Sequence, residues 1–188
     1  MDYPPNVTTN FKGHRMRRIK GFSLIELLIV VAIILIIAAI AIPNLLQARL
    51  SANEASAVGS ISAIKSSEVT YTTAYPTIGY ASNIGELGGA SPCTPSSTTA
   101  CLLDSFLSAS TPGSGGKSGY VFLATGIVPG GSINNTAFVG AAAPVLMNST
   151  GNHDYCSTND GVLRSQMGNP GDLPVNAIAP CLAFPVTQ

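Results

Sequence analysis

The side chain with the clearest chemical demand is Glu26. It is the single ionisable group in the 21-residue run FSLIELLIVVAIILIIAAIAI, from Phe22 to Ile42. A carboxylate held mid-membrane costs about 2.5–3.5 kcal/mol on insertion scales, so such a group is a functional hypothesis by default. Its place near one end of the run lowers that cost, and it asks for a cation. The positive end of a helix dipole alone supplies about 0.3–1 kcal/mol. A better partner is an α-amine. Cleavage between Gly21 and Phe22 would free one four residues before Glu26 and leave the apolar run attached to the rest of the chain. Helices packed side by side would then let one subunit's carboxylate meet its neighbour's amine. Staggered self-association would remove both charges from water.

The other reactive side chains form weaker patterns. Cys93, Cys101, Cys156 and Cys181 are even in number, which in an oxidising compartment suggests two disulfides with three possible pairings. They contain no C-x2-C spacing of the kind that structural zinc uses. Thr111-Pro112-Gly113-Ser114-Gly115-Gly116-Lys117-Ser118 approaches a phosphate-binding loop. It lacks the first glycine and precedes a strand signal rather than a helix, so it reads as a plain loop. His153 and Asp154 invite acid–base or metal chemistry, but no second histidine follows Phe22. We therefore expect a solvated hairpin there, with no catalytic residues and no cofactor. Asn134-Asn135-Thr136 and Asn148-Ser149-Thr150 fit the N-glycosylation acceptor pattern without further support.

These residues must be positioned by a chain of 188 residues that is 46% hydrophobic but only 10% charged. An average soluble domain carries about 25% charged residues, so disorder driven by high charge is excluded. A formal net charge of +0 argues against a dedicated nucleic-acid binder. That zero hides an asymmetry. Residues 1–21 hold Lys12, Arg15, Arg17, Arg18 and Lys20 against Asp2, a local balance of +4, and the remainder carries −4. The apolar run has the ~20 residues needed to cross a bilayer core as a helix. Basic residues directly before it place its start on the cytoplasmic side. A secretory signal peptide, cut near Ala39-Ile40-Ala41, is the simpler alternative. However, this run exceeds the ~7–15 residues usual for such a segment, and it contains a carboxylate.

The segment Lys20-Gly21-Phe22-Ser23-Leu24-Ile25-Glu26-Leu27-Leu28-Ile29-Val30 closely resembles the processing and assembly signature of type IV pilins and pseudopilins, and Ala41-Ile42-Pro43-Asn44 is similar to the family's usual helix break. The resemblance covers about residues 16–60. It implies a leader of residues 1–21 removed by a prepilin peptidase, with Gly21 the last leader residue and Phe22 the methylated terminus. It makes Glu26 the register-setting carboxylate and Pro43 a point that can stretch on assembly. Met16-Arg17-Arg18-Ile19-Lys20-Gly21 is itself a complete short leader, which makes Met16 a candidate true start. Further partners implied are an assembly platform, a cytoplasmic ATPase, the inner membrane before assembly and other copies of the chain in a homopolymer. Within this frame we favour the pairings Cys93–Cys101, closing a small loop, and Cys156–Cys181, pinning the C-terminal tail as pilins commonly do. Some secretion pseudopilins bind calcium with head carboxylates, which here would be Asp154, Asp160 and Asp172. No spaced ligand loop supports that site.

Four segments follow: the leader 1–21, a membrane or filament-core helix 22–43, an amphipathic second half 44–73, and a head 74–188. Beyond Pro43, Leu46, Leu50, Ala57, Ile61 and Ile64 recur at spacings of 3, 4 and 7, marking one helical face. Residues 76–117 read as a loop-rich connection with a short helix near 102–107. Strand signals lie at 119–125 and 137–142, and Asn159-Asp160-Gly161 marks a hairpin. The tail from Met167 is expected to be Pro-rich and irregular. The fold class expected is α+β, a long helix against a small antiparallel sheet. The function expected is a structural pilus subunit. The alternatives are a type II secretion pseudopilin and a membrane-anchored binding module that never polymerises.

Overall fold

Ala57, Ile61, Ile64, Glu68 and Tyr71 alternate steps of four and three, which keeps them on one side of a 3.6-residue turn, and all five are buried. In the computed structural model, which describes residues 21–128, 130 and 133–187, they lie on α1, Leu24–Ala74. The leader residues 1–20, including the candidate start at Met16, lie outside the described residues. The chain divides into two compact units at Ile42/Pro43, inside α1.

In the first unit, the apolar side chains of α1 face outward on every side: Leu24 is 81% exposed, Val30 47% and Ile40 66%. Pro43, at the position of the family's usual helix break, lies inside α1. The helix continues through this proline, because losing one backbone donor interrupts a single rung while neighbouring rungs hold.

In the second unit, four strands form an antiparallel meander: β1 (Tyr120–Ile127), β2 (Ala137–Pro144), β3 (His153–Thr158) and β4 (Leu163–Met167), in the order β1-β2-β3-β4. The two expected strands extend slightly beyond their sequence signals, and the hairpin turn falls between β3 and β4 as Asn159-Asp160-Gly161 suggested. β2 is buried along its whole length. Two layers explain this. Ala142, with Phe122 and Ala124 of β1 and Tyr155 of β3, packs in one core with Ile61, Ile64 and Tyr71 of α1. Gly140 belongs to that face too. A Cβ added there would stand 3.1 Å from Ile64 Cγ2, so the missing side chain lets the helix approach. On the opposite face, Val139, Ala141 and Cys156 pack with Cys181 and Phe184 from the tail. The strict alternation of faces along a strand assigns each side chain to its layer.

The tail is more regular than expected: it forms α4, Ile178–Leu182, and then runs beside the outer edge of β4. Ser165 N donates to Pro185 O and Thr187 N donates to Leu163 O, so these groups of the sheet edge are paired. The connection before the sheet holds two short helices, α2 (Ile84–Leu87) and α3 (Ser105–Ala109). The second is shifted from the expected 102–107 because Asp104 caps it, its side chain accepting from Leu107 N.

Candidate assembly site and the groups that hold the head

Gly21, Phe22 and Ser23 precede α1 outside any helix or strand, and Phe22 is 76% exposed. The helix begins where Ser23 O accepts from Glu26 N (3.1 Å) and Leu27 N (3.3 Å). Glu26 therefore sits in the first turn, where the unpaired amides of a helix start favour a negative charge. Its carboxylate has no partner among the described residues. A Cβ built on Gly21 would meet nothing among them within 4 Å. The fold itself thus makes no steric demand for glycine at this position.

Beyond Ile42 lies the anchored part of α1. Glu54 Oε1 accepts from Asn152 N (2.8 Å) and pairs with His153 Nδ1 (3.1 Å), while Asn53 Nδ2 donates to Thr150 O. These contacts tie the helix to the β2–β3 connection. His153 is accordingly a structural partner of α1 and not the solvated hairpin residue expected. Its neighbour Asp154 is buried in β3. Burial first, and then the adjacent Asp172, raise its carboxyl to about 6.

One turn-and-loop cluster escaped the sequence reading altogether. Glu68 is fully buried, and its Oε2 accepts from Ala81 N (2.9 Å) while Oε1 has no hydrogen-bond partner among the described residues. Burial raises this carboxyl to about 8, the hydrogen bond from Ala81 opposes the rise, and Glu86 adds to it. Around it, Tyr71 Oη donates to Ser97 O and Ser67 Oγ donates to Leu102 O. Asn135 Nδ2 donates to Tyr80 O, and Gly79, at φ +89°, brings its backbone so close to Asn135 O that a Cβ could not fit. The signal was available: Glu68 continues the 57, 61, 64 and 71 stripe. Helix α2 also carried one, Asn83-x-x-Glu86. Asn83 Oδ1 accepts from Glu86 N and Glu86 Oε2 accepts from Ser82 N, a variant of the capping box.

Cys93 is joined to Cys101 and Cys156 to Cys181. The first closes the loop holding Ser97. The second links β3 to α4. Asp160 is not gathered with the other acids: Arg164 Nη2 pairs with it at 2.6 Å, and the pairing holds its carboxyl down at about 2. Residues Thr111–Ser118 form a turn-rich loop before β1. Nothing among the described residues brings three or more His, Cys, Asp or Glu side chains together as a metal site.

Comparison with known proteins concentrates on the N-terminus. Residues 16–42 match the family described as "Prokaryotic N-terminal methylation motif". A curated relative, "Type IV wide pilus major component PilA4" of Thermus thermophilus, is 69% identical over 39 residues. That match covers 21% of this chain and 30% of the relative. No solved structure matches the chain. The chain thus carries a prokaryotic N-terminal methylation motif, and over 39 residues it is similar to a type IV pilus component. An apolar helix directly at that motif fits a membrane-anchored precursor.

Proposed function

We propose that the chain is the structural subunit of a type IV pilus filament and performs no catalysis. In this reading a prepilin peptidase cuts between Gly21 and Phe22, Phe22 becomes the methylated terminus, and the helix leaves the inner membrane to join a bundle of its own kind. The assembly platform and ATPase implied by the family drive that transfer, and the heads form the outside of the fibre. The observation that carries the reading is the exposed apolar surface of α1 from Leu24 to Ile42, whose single charge is Glu26, in a chain whose second unit fills its own core. Water cannot be the resting environment of such a surface. Lipid suits the precursor, and copies of the same helix suit the product. Glu26 sets the stagger, because an unpaired carboxylate in that bundle is costly and the amine of a neighbour's Phe22 relieves it. The curated relative is named as a pilus component, which supports the pilus over the secretion pseudopilin.

The test is electron microscopy of material sheared from cells, with mass spectrometry of the subunit's N-terminus. We expect filaments whose subunit begins at N-methylated Phe22. A soluble product beginning near Ile42 would remove the reading. Processed subunits that remain in the membrane as monomers would replace it with the anchored binding module.

A further inference from the structure

Two charged side chains stand out among the described residues because neither has a partner there: Glu26 and Arg49, opposite in sign and both exposed on α1. The other charged groups are engaged. Lys117 pairs with Asp104 and Arg164 with Asp160, Lys65 Nζ donates to Gly161 O, and Glu54 and Glu68 accept backbone amides. Glu86 and Asp172 also accept backbone amides, from Ser82 and Asn169, and Asp154 lies against Asp172 and Gln166. Between Ser23 and Asn53, Glu26 and Arg49 are the only charges, one at each end of the apolar surface. From these we infer that Arg49 of one subunit pairs with Glu26 of a second copy, displaced along the helix by 23 residues. This rests on the polymerisation reading above and adds the register of one of its contacts.

A second copy is the occupant that these charges fit. The complementary charges reside on one sequence, so identical chains satisfy both. Parallel copies that join position 26 of one to position 49 of another bring different patches together, and such a heterologous contact repeats into an open fibre instead of closing as a two-fold dimer. The carboxylate has two oxygens and several acceptor sites, so a guanidinium from one neighbour and the Phe22 amine from another can share it. Arginine suits this place, since its weakly hydrated, always charged fork is the preferred cation for interface ion pairs.

The experiment uses the full chain in filament-producing cells. Leu24→Cys and Gln47→Cys, on separate copies expressed together, carry the same 23-residue offset while leaving both charges native. Sheared mixed filaments oxidised with a copper catalyst are expected to give a dimer band, absent when either variant is expressed alone. Arg49→Glu is expected to lower filament yield about tenfold or more, because it sets two acids against each other in an apolar bundle, with normal processing. Formed filaments that give no dimer band, or Arg49→Glu filaments in normal yield, overturn the pairing and leave the pilus reading intact. If Arg49→Gln leaves filament yield unchanged but lowers retention of the subunit in phospholipid vesicles, Arg49 serves a lipid phosphate and the pairing is again overturned. A native chain that never forms filaments removes the pilus reading itself.

Discussion

Gly21 and Glu68 make opposite demands on their surroundings. A side chain on Gly21 would meet open space among the described residues, so the fold sets no requirement for glycine there. On the proposed reading, Gly21→Ser should leave the head folded and block cleavage. A gel should show the precursor band unshifted, and an efficiently processed variant would refute the assignment. Glu68 is constrained from within. Its folded carboxyl titrates at about 8 against an ordinary 4.5, so the folded chain keeps a proton that the unfolded chain has released. Stability of the head should therefore fall as pH rises from about 4.5 to about 8 and level off above. Urea denaturation of the detergent-solubilised subunit across that range measures it. Glu68→Gln should flatten most of the slope, since the amide oxygen can still accept from Ala81 N. An unchanged slope would show that Glu68 is not its source.

At the scale of elements, α1 changes character along its length. Its second half buries one stripe against β1–β3, and Ile64 is at the centre of that stripe, fully buried against Gly140. Ile64→Ala should cost about 2–5 kcal/mol, the range for a large-to-small change in a packed core. The loss should be read as a lower denaturation midpoint with an unchanged slope on denaturant. The tail depends on a different device. Residues 168–187 reach the far face of the sheet through Val175, Cys181 and Phe184, a modest apolar surface for holding a Pro-rich segment. The Cys156–Cys181 link closes a separation of 25 residues. Replacing both cysteines by serine should lower stability by about 2–4 kcal/mol and make the tail the first site of proteolytic cutting, with α1 and β1–β3 still protected.

For the whole molecule, the proposed product is a fibre, so the decisive variants separate folding from assembly. Glu26→Ala removes no contact of the described chain, and the head should keep its native denaturation curve. Cleavage at Gly21 should proceed as well. Filament yield should nevertheless drop severely, because nothing then penalises wrong staggers among otherwise uniform apolar helices. Normal filaments from that variant would sink the register role of Glu26. The same logic covers Arg49: its effect belongs to yield and register, not to the stability of the isolated subunit.

Local spacing alone determined the N-terminal half: an uninterrupted apolar run with one acid, Gly21-Phe22 at its border, and a three-four stripe beyond Pro43. Such features are legible because a helix relates residues only a few positions apart, and periodicity records which side is dry. The strand positions and the β3–β4 turn were readable for the same reason. What the tertiary structure decided involves distant partners. Only the sheet's pairing with both α1 and the tail explains why β2 is buried on both faces. Only the approach of Ala81, thirteen residues on from Glu68, makes that acid a buried hydrogen-bond acceptor. His153 likewise becomes a partner of Glu54 across 99 positions. Long-range contacts arise from how chain segments fold back on one another, and a window of neighbouring residues carries no record of which segment will arrive.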